Sequence, residues 1–113
     1  MRDNPTRLQD ILDAIAAVEK YAGRGRSAFE EDELIQTWVI HHLQIIGEAC
    51  RGLSESFRDS HPEVPWGDIM AMRNVLTHVY FGISLEKVWA AVEHDLPKLK
   101  SQVQTMLNST ASP

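Results

Sequence analysis

The chain has 113 residues, a formal net charge of -5, 43% hydrophobic and 24% charged residues. That length suits one compact domain over 1–113 and is short for two. The acidic balance argues against a sequence-independent nucleic-acid coat, which carries a broad basic face, while leaving room for an enzyme with one small basic cleft.

The start, Met1-Arg2-Asp3-Asn4-Pro5, is polar and shows no secretory leader. No apolar run approaches the ~20 residues of a membrane span. The expectation is a cytoplasmic protein without membrane contact. The single cysteine, Cys50, has no partner for a disulfide within the chain and reads as a small buried hydrophobe.

Asn4-Pro5 predicts a helix start, with Asn4 as cap and Pro5 in the first turn. Leu8, Ile11, Leu12, Ile15 and Val18 follow at helical spacing and form one apolar stripe. Gly23 and Gly25 end this helix, with Arg24 and Arg26 as solvated loop charges. Ser27 and Glu30 have the spacing of a capping box. From Leu34 to Cys50 runs the most apolar stretch, wider than a single stripe, which predicts a central helix covered on more than one side, as at a dimer interface.

Gly52 and Ser54 break that helix, and Leu53 and Phe57 anchor a short turn ending at His61-Pro62. A further helix begins around Pro65-Trp66, with Ile69, Met72, Leu76 and Val79 inward and Gly82 as its stop. Ser84 caps the last helix, which carries Val88, Trp89, Val92, Leu96, Leu99, Val103 and Met106. Pro97 inside that pattern demands a kink or restart. The tail 108–113 is small and polar and is expected to fray. No segment alternates with period two. The expected fold is all-α, an antiparallel bundle of four or five helices.

Five histidines, His41, His42, His61, His78 and His94, invite a metal reading. The spacings that bind zinc are missing, and no cofactor is expected. No phosphate loop or nucleophile elbow is present. Trp38, Trp66 and Trp89 fall on apolar stripes and read as core.

The remaining cluster is Arg73, Asn74, Thr77, His78 and Tyr80. Histidine moves protons near neutral pH, and arginine holds phosphate in a fork of donors. Such a set suits RNA cleavage without a metal, because the substrate's own 2′-OH supplies the nucleophile. On one ideal helix Arg73 and His78 lie about 140° apart, whereas Arg73 and Tyr80 share a face. Either the helix loosens near Thr77, or the site is built where two helices or two chains meet.

Arg73-x-x-x-x-His78-x-Tyr80 resembles the signature of the HepT-like toxins in the HEPN superfamily. The likeness extends to Ile45-Ile46-Gly47-Glu48-Ala49, to His61-Pro62-Glu63-Val64-Pro65-Trp66, and to Tyr80-Phe81-Gly82-Ile83 and Val88-Trp89 followed by Asp95-Leu96-Pro97. The resemblance implies a HEPN-like helical homodimer whose two motifs line one cleft. It implies a metal-independent endoribonuclease acting on transfer or messenger RNA, the toxin of a type VII-like toxin-antitoxin system. It also implies a nucleotidyltransferase antitoxin of the MNT type that transfers AMP to the motif tyrosine. Carried over, Arg73 and His78 are catalytic, Asn74 and Thr77 support them, and Tyr80 both contacts substrate and receives AMP. Where relatives often carry basic residues on the second helix, this chain has His41-His42. The acidic net charge keeps open a non-catalytic module that binds a nucleotide or the nucleotidyltransferase, and a purely structural helical protein is the third alternative.

Overall fold

The computed structural model describes residues 3–77 and 84–111, and they are helical almost throughout, without a strand among them. α1 (Asn4–Ala22) is capped by Asp3, not by Asn4, because the Asp3 carboxylate accepts from the Thr6 N–H at 2.9 Å. Asn4 is already inside the first turn, beside Pro5. Its side chain reaches the other end of the hairpin instead, donating to Ser54 Oγ at 3.2 Å and accepting from the Ser54 N–H at 3.0 Å. Gly23 closes the helix.

α2 (Arg26–Glu31) follows at once. The Ser27–Glu30 capping box does not form, because the helix starts before Ser27. Its cap is Gly25, held at φ 95°, a left-handed conformation that favours glycine. Arg26 is therefore a helical residue and not a loop charge, and Glu30 pairs with it at 2.8 Å. Glu30 also holds the Arg26 guanidinium above its ordinary pKa, first through their hydrogen bond.

Asp32 caps α3 (Glu33–Gly52), accepting from the Leu34 and Ile35 N–H groups at 2.9 and 3.4 Å. Ile35, Val39, Leu43, Ile46, Ala49 and Cys50 form its buried stripe. These meet Leu8, Ile11, Ala14, Ile15 and Val18 of α1 in one core. Removing such side chains from water stabilises by about 1.5–3 kcal/mol each. Cys50 is fully buried, and burial pushes its thiol up to about 12, partly offset by the positive charge of Arg58.

Ser54 caps the single turn α4 (Glu55–Asp59) through the Phe57 N–H at 3.2 Å. α5 (Trp66–Thr77) begins directly after Pro65, whose carbonyl accepts from the Ile69 N–H. It packs against α3, while α7 packs against α1. Trp66 is buried with its indole N–H on the His61 carbonyl at 3.0 Å.

Ser84 caps α6 (Leu85–Ala90), as its place in the sequence predicts. α6 and α7 (Leu96–Ala111) are joined by a π turn, Ala91–Asp95, in which the Leu96 N–H reaches back to the Ala91 carbonyl. The cause is Pro97. Its ring would collide with the carbonyl four residues earlier in a regular helix, and the wider turn opens that space. Leu96, Leu99, Val103 and Met106 then point into the same core as α1. Lys100 on α7 reaches Glu19 on α1 at 3.1 Å, tying the helices along their wet edge.

Candidate functional site

α5 ends in the motif segment. Arg73, Asn74 and Thr77 occupy its second half, which positions them on the helix that leans on α3. His78 and Tyr80, with Val79, Phe81, Gly82 and Ile83, lie outside the described residues. The backbone thus shows a helical frame for the arginine up to Thr77, and the divergence of Arg73 and His78 inferred from helix geometry concerns the residues just beyond it.

The other histidines have identifiable company. His42 Nδ1 lies 2.8 Å from the Trp38 carbonyl, and its ring stacks on the Trp38 indole at 4.4 Å. His61 packs on Phe57 at 4.6 Å and meets Glu63 at 3.2 Å. His94 sits beside Glu93 at 3.3 Å. Among the described residues no group of three His, Cys, Asp or Glu side chains is placed to hold a metal ion. None of their helices is long and apolar enough to cross a membrane.

The described residues also form a cleft of about 650 Å³ between α1 and α3 that does not involve α5. Ala14, Ala17 and Ala49 make its floor, and Asp10, Asp13, Glu48, Arg7 and His41 stand along its rim. At one end Arg7 lies over Gly52; a Cβ there would come within 2.5 Å of the Arg7 Nε. The guanidinium is thereby seated at the C-terminal end of α3, where a positive charge is favoured. Its Nε is buried and finds no hydrogen-bond partner among the described residues.

Beside the cleft, aromatic residues collect between α1 and α3. Trp38 donates to the Ala17 carbonyl at 2.6 Å and receives the edge of Tyr21 at 5.4 Å. Arg24 and Lys20 stand 5.1 and 5.6 Å from the Tyr21 ring. Trp38 is only half-buried, unlike Trp66 and Trp89, which are core as expected. Its spacing predicts core for Trp38 as for the other two, and the structure leaves it at the margin. The missed signal is the spacing Leu34, Trp38, His41, Ile45, Glu48, a second stripe beside the buried one.

The sequence comparisons bear on the class of protein that this helical frame defines. A model of the HepT-like ribonucleases matches residues 11–106. The probable ribonuclease HepT of Thermococcus cleftensis is 35% identical over 108 residues, covering 93% of this chain and 96% of the relative. A protein of Methanocaldococcus jannaschii with an RNase assignment is 38% identical over 104 residues, covering 91% of this chain and 95% of its own length. A third relative with an RNase assignment, from Caldanaerobacter subterraneus subsp. tengcongensis, is 34% identical over 90 residues and covers 80% of each chain. No solved structure matches. The chain belongs to the HepT-like ribonuclease family, endoribonucleases of the HEPN type.

Proposed function

We propose that this chain is the toxin of a type VII-like toxin-antitoxin pair and cuts RNA without a metal, using Arg73 and His78. The observation that supports the reading is the family match through residues 11–106, which spans the whole Arg73-x-x-x-x-His78-x-Tyr80 motif. In this reaction the substrate's 2′-oxygen attacks the adjacent phosphorus and the P–O5′ bond breaks. The products are a 2′,3′-cyclic phosphate and a 5′-hydroxyl. His78 moves the proton, and Arg73 stabilises the charge that builds on the phosphoryl oxygens. Asn74 and Thr77 hold the phosphate or its ribose from the same helix, and Tyr80 contacts the substrate.

The reading includes a homodimer in which two motif segments share one cleft, since one ideal helix turns Arg73 and His78 away from each other. It also includes silencing by a nucleotidyltransferase antitoxin. The Tyr80 phenol oxygen attacks the α-phosphorus of ATP, pyrophosphate leaves, and the tyrosyl-AMP carries a phosphodiester charge and a base into the place of RNA.

The experiment is cleavage of transfer and messenger RNA by the purified protein, in chelator, for wild type and His78→Ala. Loss of cleavage by roughly 10²-fold or more with an unchanged circular dichroism spectrum is expected. Undiminished cleavage by His78→Ala removes the proposed role. Tight nucleotide binding without turnover in the wild type would instead support a non-catalytic module. Mass spectrometry of the tryptic peptide holding Tyr80, after co-expression with a nucleotidyltransferase antitoxin of the MNT type, should show added AMP. A modified Tyr80→Phe protein, or its full neutralisation, would refute the assignment of the tyrosine.

A further inference from the structure

We propose that Arg58 is a second phosphate-holding residue of the RNA site, gripping the backbone next to the phosphate that is cut. The role deepens the proposed function and rests on it. Arg58 is a cation with poor company. It stands in the last turn of α4 and is half-buried. Its Nε is buried and meets no hydrogen-bond partner among the described residues. Its Nη1 donates to the Met70 Sδ at 3.3 Å, and a thioether is a weak acceptor. No ion pair of Arg58 occurs among the described residues. Its charge is felt inside the core instead, where it draws the Cys50 thiol downward against the effect of burial.

Other arginines are better matched. Arg26 has Glu30 at 2.8 Å, and Arg24 lies 5.1 Å from the Tyr21 ring. Arg58 cannot shed its charge, and a buried N–H without an acceptor is costly. A cation already set in place becomes favourable when an anion arrives, because nothing has to reorganise. Arg58 keeps part of its surface in water, so an anion can reach it.

The place of Met70 on α5 says which anion. Each helical residue advances the azimuth by about 100°. Counted from Met70, Thr77 lies about 20° away, Asn74 about 40° and Arg73 about 60°. The four positions therefore share one side of α5. Arg73 and Asn74 follow Met70 by about 4.5 and 6 Å along the axis. Arg58 thus stands one helical turn before the motif residues, on the side of α5 that carries them. The segment between α4 and α5 is tied down by the Trp66 indole on the His61 carbonyl, which fixes the two helices relative to each other. A strand whose reacting phosphate lies at Arg73 runs past Arg58 with a neighbouring phosphate, which the guanidinium fork fits.

The test is fluorescence anisotropy of a labelled single-stranded RNA bearing 2′-O-methyl groups, which keeps every phosphate and lacks the nucleophile. It is titrated with the full-chain wild type, Arg58→Met and Arg58→Lys over a range of sodium chloride. Arg58→Met should bind about 10-fold more weakly at low salt, and its slope of log affinity against log salt should be shallower by about 0.7, one phosphate contact on a single strand. Arg58→Lys should restore the slope, because it keeps the charge, and only part of the affinity, because it lacks the fork. An arginine with a structural role alone would change the melting temperature and leave the slope where it was. An unchanged slope in Arg58→Met, a slope lost equally in Arg58→Lys, or a wild type without salt-dependent binding overturns the proposal. So does RNA displaced by phosphate but not by chloride at matched ionic strength, which would mark a site for the free anion. A wild type that leaves unmodified RNA uncut removes the proposed function, and this role with it. Cutting by the wild type with an unchanged slope in Arg58→Met removes the role of Arg58 alone. Circular dichroism of both variants separates loss of contact from loss of fold.

Discussion

α3 and α5 pack against each other, yet they spend their residues differently. α3 commits Ile35, Val39, Leu43, Ile46, Ala49 and Cys50 to the interior and is capped by Asp32. α5 opens with buried Trp66 and Ile69 and carries Arg73, Asn74 and Thr77 in its second half. One helix holds the bundle together, and its neighbour carries Arg73, Asn74 and Thr77. A charged residue tolerated on α5 would be ruinous on the inner stripe of α3, because an unpaired buried charge costs several kcal/mol. The contrast teaches that stability and chemistry should separate under substitution.

The largest expected effect is on activity. Arg73→Ala should reduce RNA cleavage by roughly 10²-fold or more while the melting temperature stays near that of the wild type. A collapse of the fold would show that α5 is as structural as α3. Leu43→Ala should do the reverse, costing about 2–5 kcal/mol in denaturant unfolding through the cavity it leaves, with specific activity of the folded fraction preserved.

Cys50 sharpens the comparison from inside α3. Its folded thiol titrates at about 12 against an ordinary 9.0, so folding favours the protonated form. Below pH 9 both states hold the proton and the full stability is present. Between pH 9 and about 12 only the unfolded chain releases it, and stability falls. Chemical denaturation should show this decline, and Cys50→Ala should flatten the part of it that belongs to the thiol. The native thiol should also resist alkylation at neutral pH until the protein is unfolded. The smallest effect belongs to the cap: Asp32→Ala should cost about 1 kcal/mol without changing cleavage.

Much of the bundle is legible in the sequence because helical periodicity, glycine stops and serine caps each leave a local mark. Leu8, Ile11, Ile15 and Val18 are buried as their spacing requires, and Ser84 caps where expected. What escaped depends on choices that several residues could make. Asp3 and Asn4 can both cap a helix, and only the tertiary pull of Ser54 on Asn4 decides between them. Ser27 loses the cap of α2 because Gly25 can adopt a positive φ two residues sooner. Trp38 has the spacing of a core residue but stays half-buried, held at the margin by the hydrogen bond from its indole N–H to the Ala17 carbonyl of α1. For the candidate site, residue chemistry and family resemblance together named Arg73, Asn74, Thr77, His78 and Tyr80; the structure adds the helix beneath the first three.

The π turn at Ala91–Asp95 has a consequence for how the chain keeps phase. A helix is a counter: each residue advances the azimuth by about 100°, and a widened turn resets the count. Ahead of the reset, Val88 and Trp89 face inward on one count; after it, Leu99, Val103 and Met106 face inward on another. Straightening this stretch by removing a single residue would leave the rod intact and turn α7 away from α1, exposing the row that closes the core. Pro97 therefore acts less as a breaker than as a clutch, letting two amphipathic segments share one axis while each engages the core in its own register.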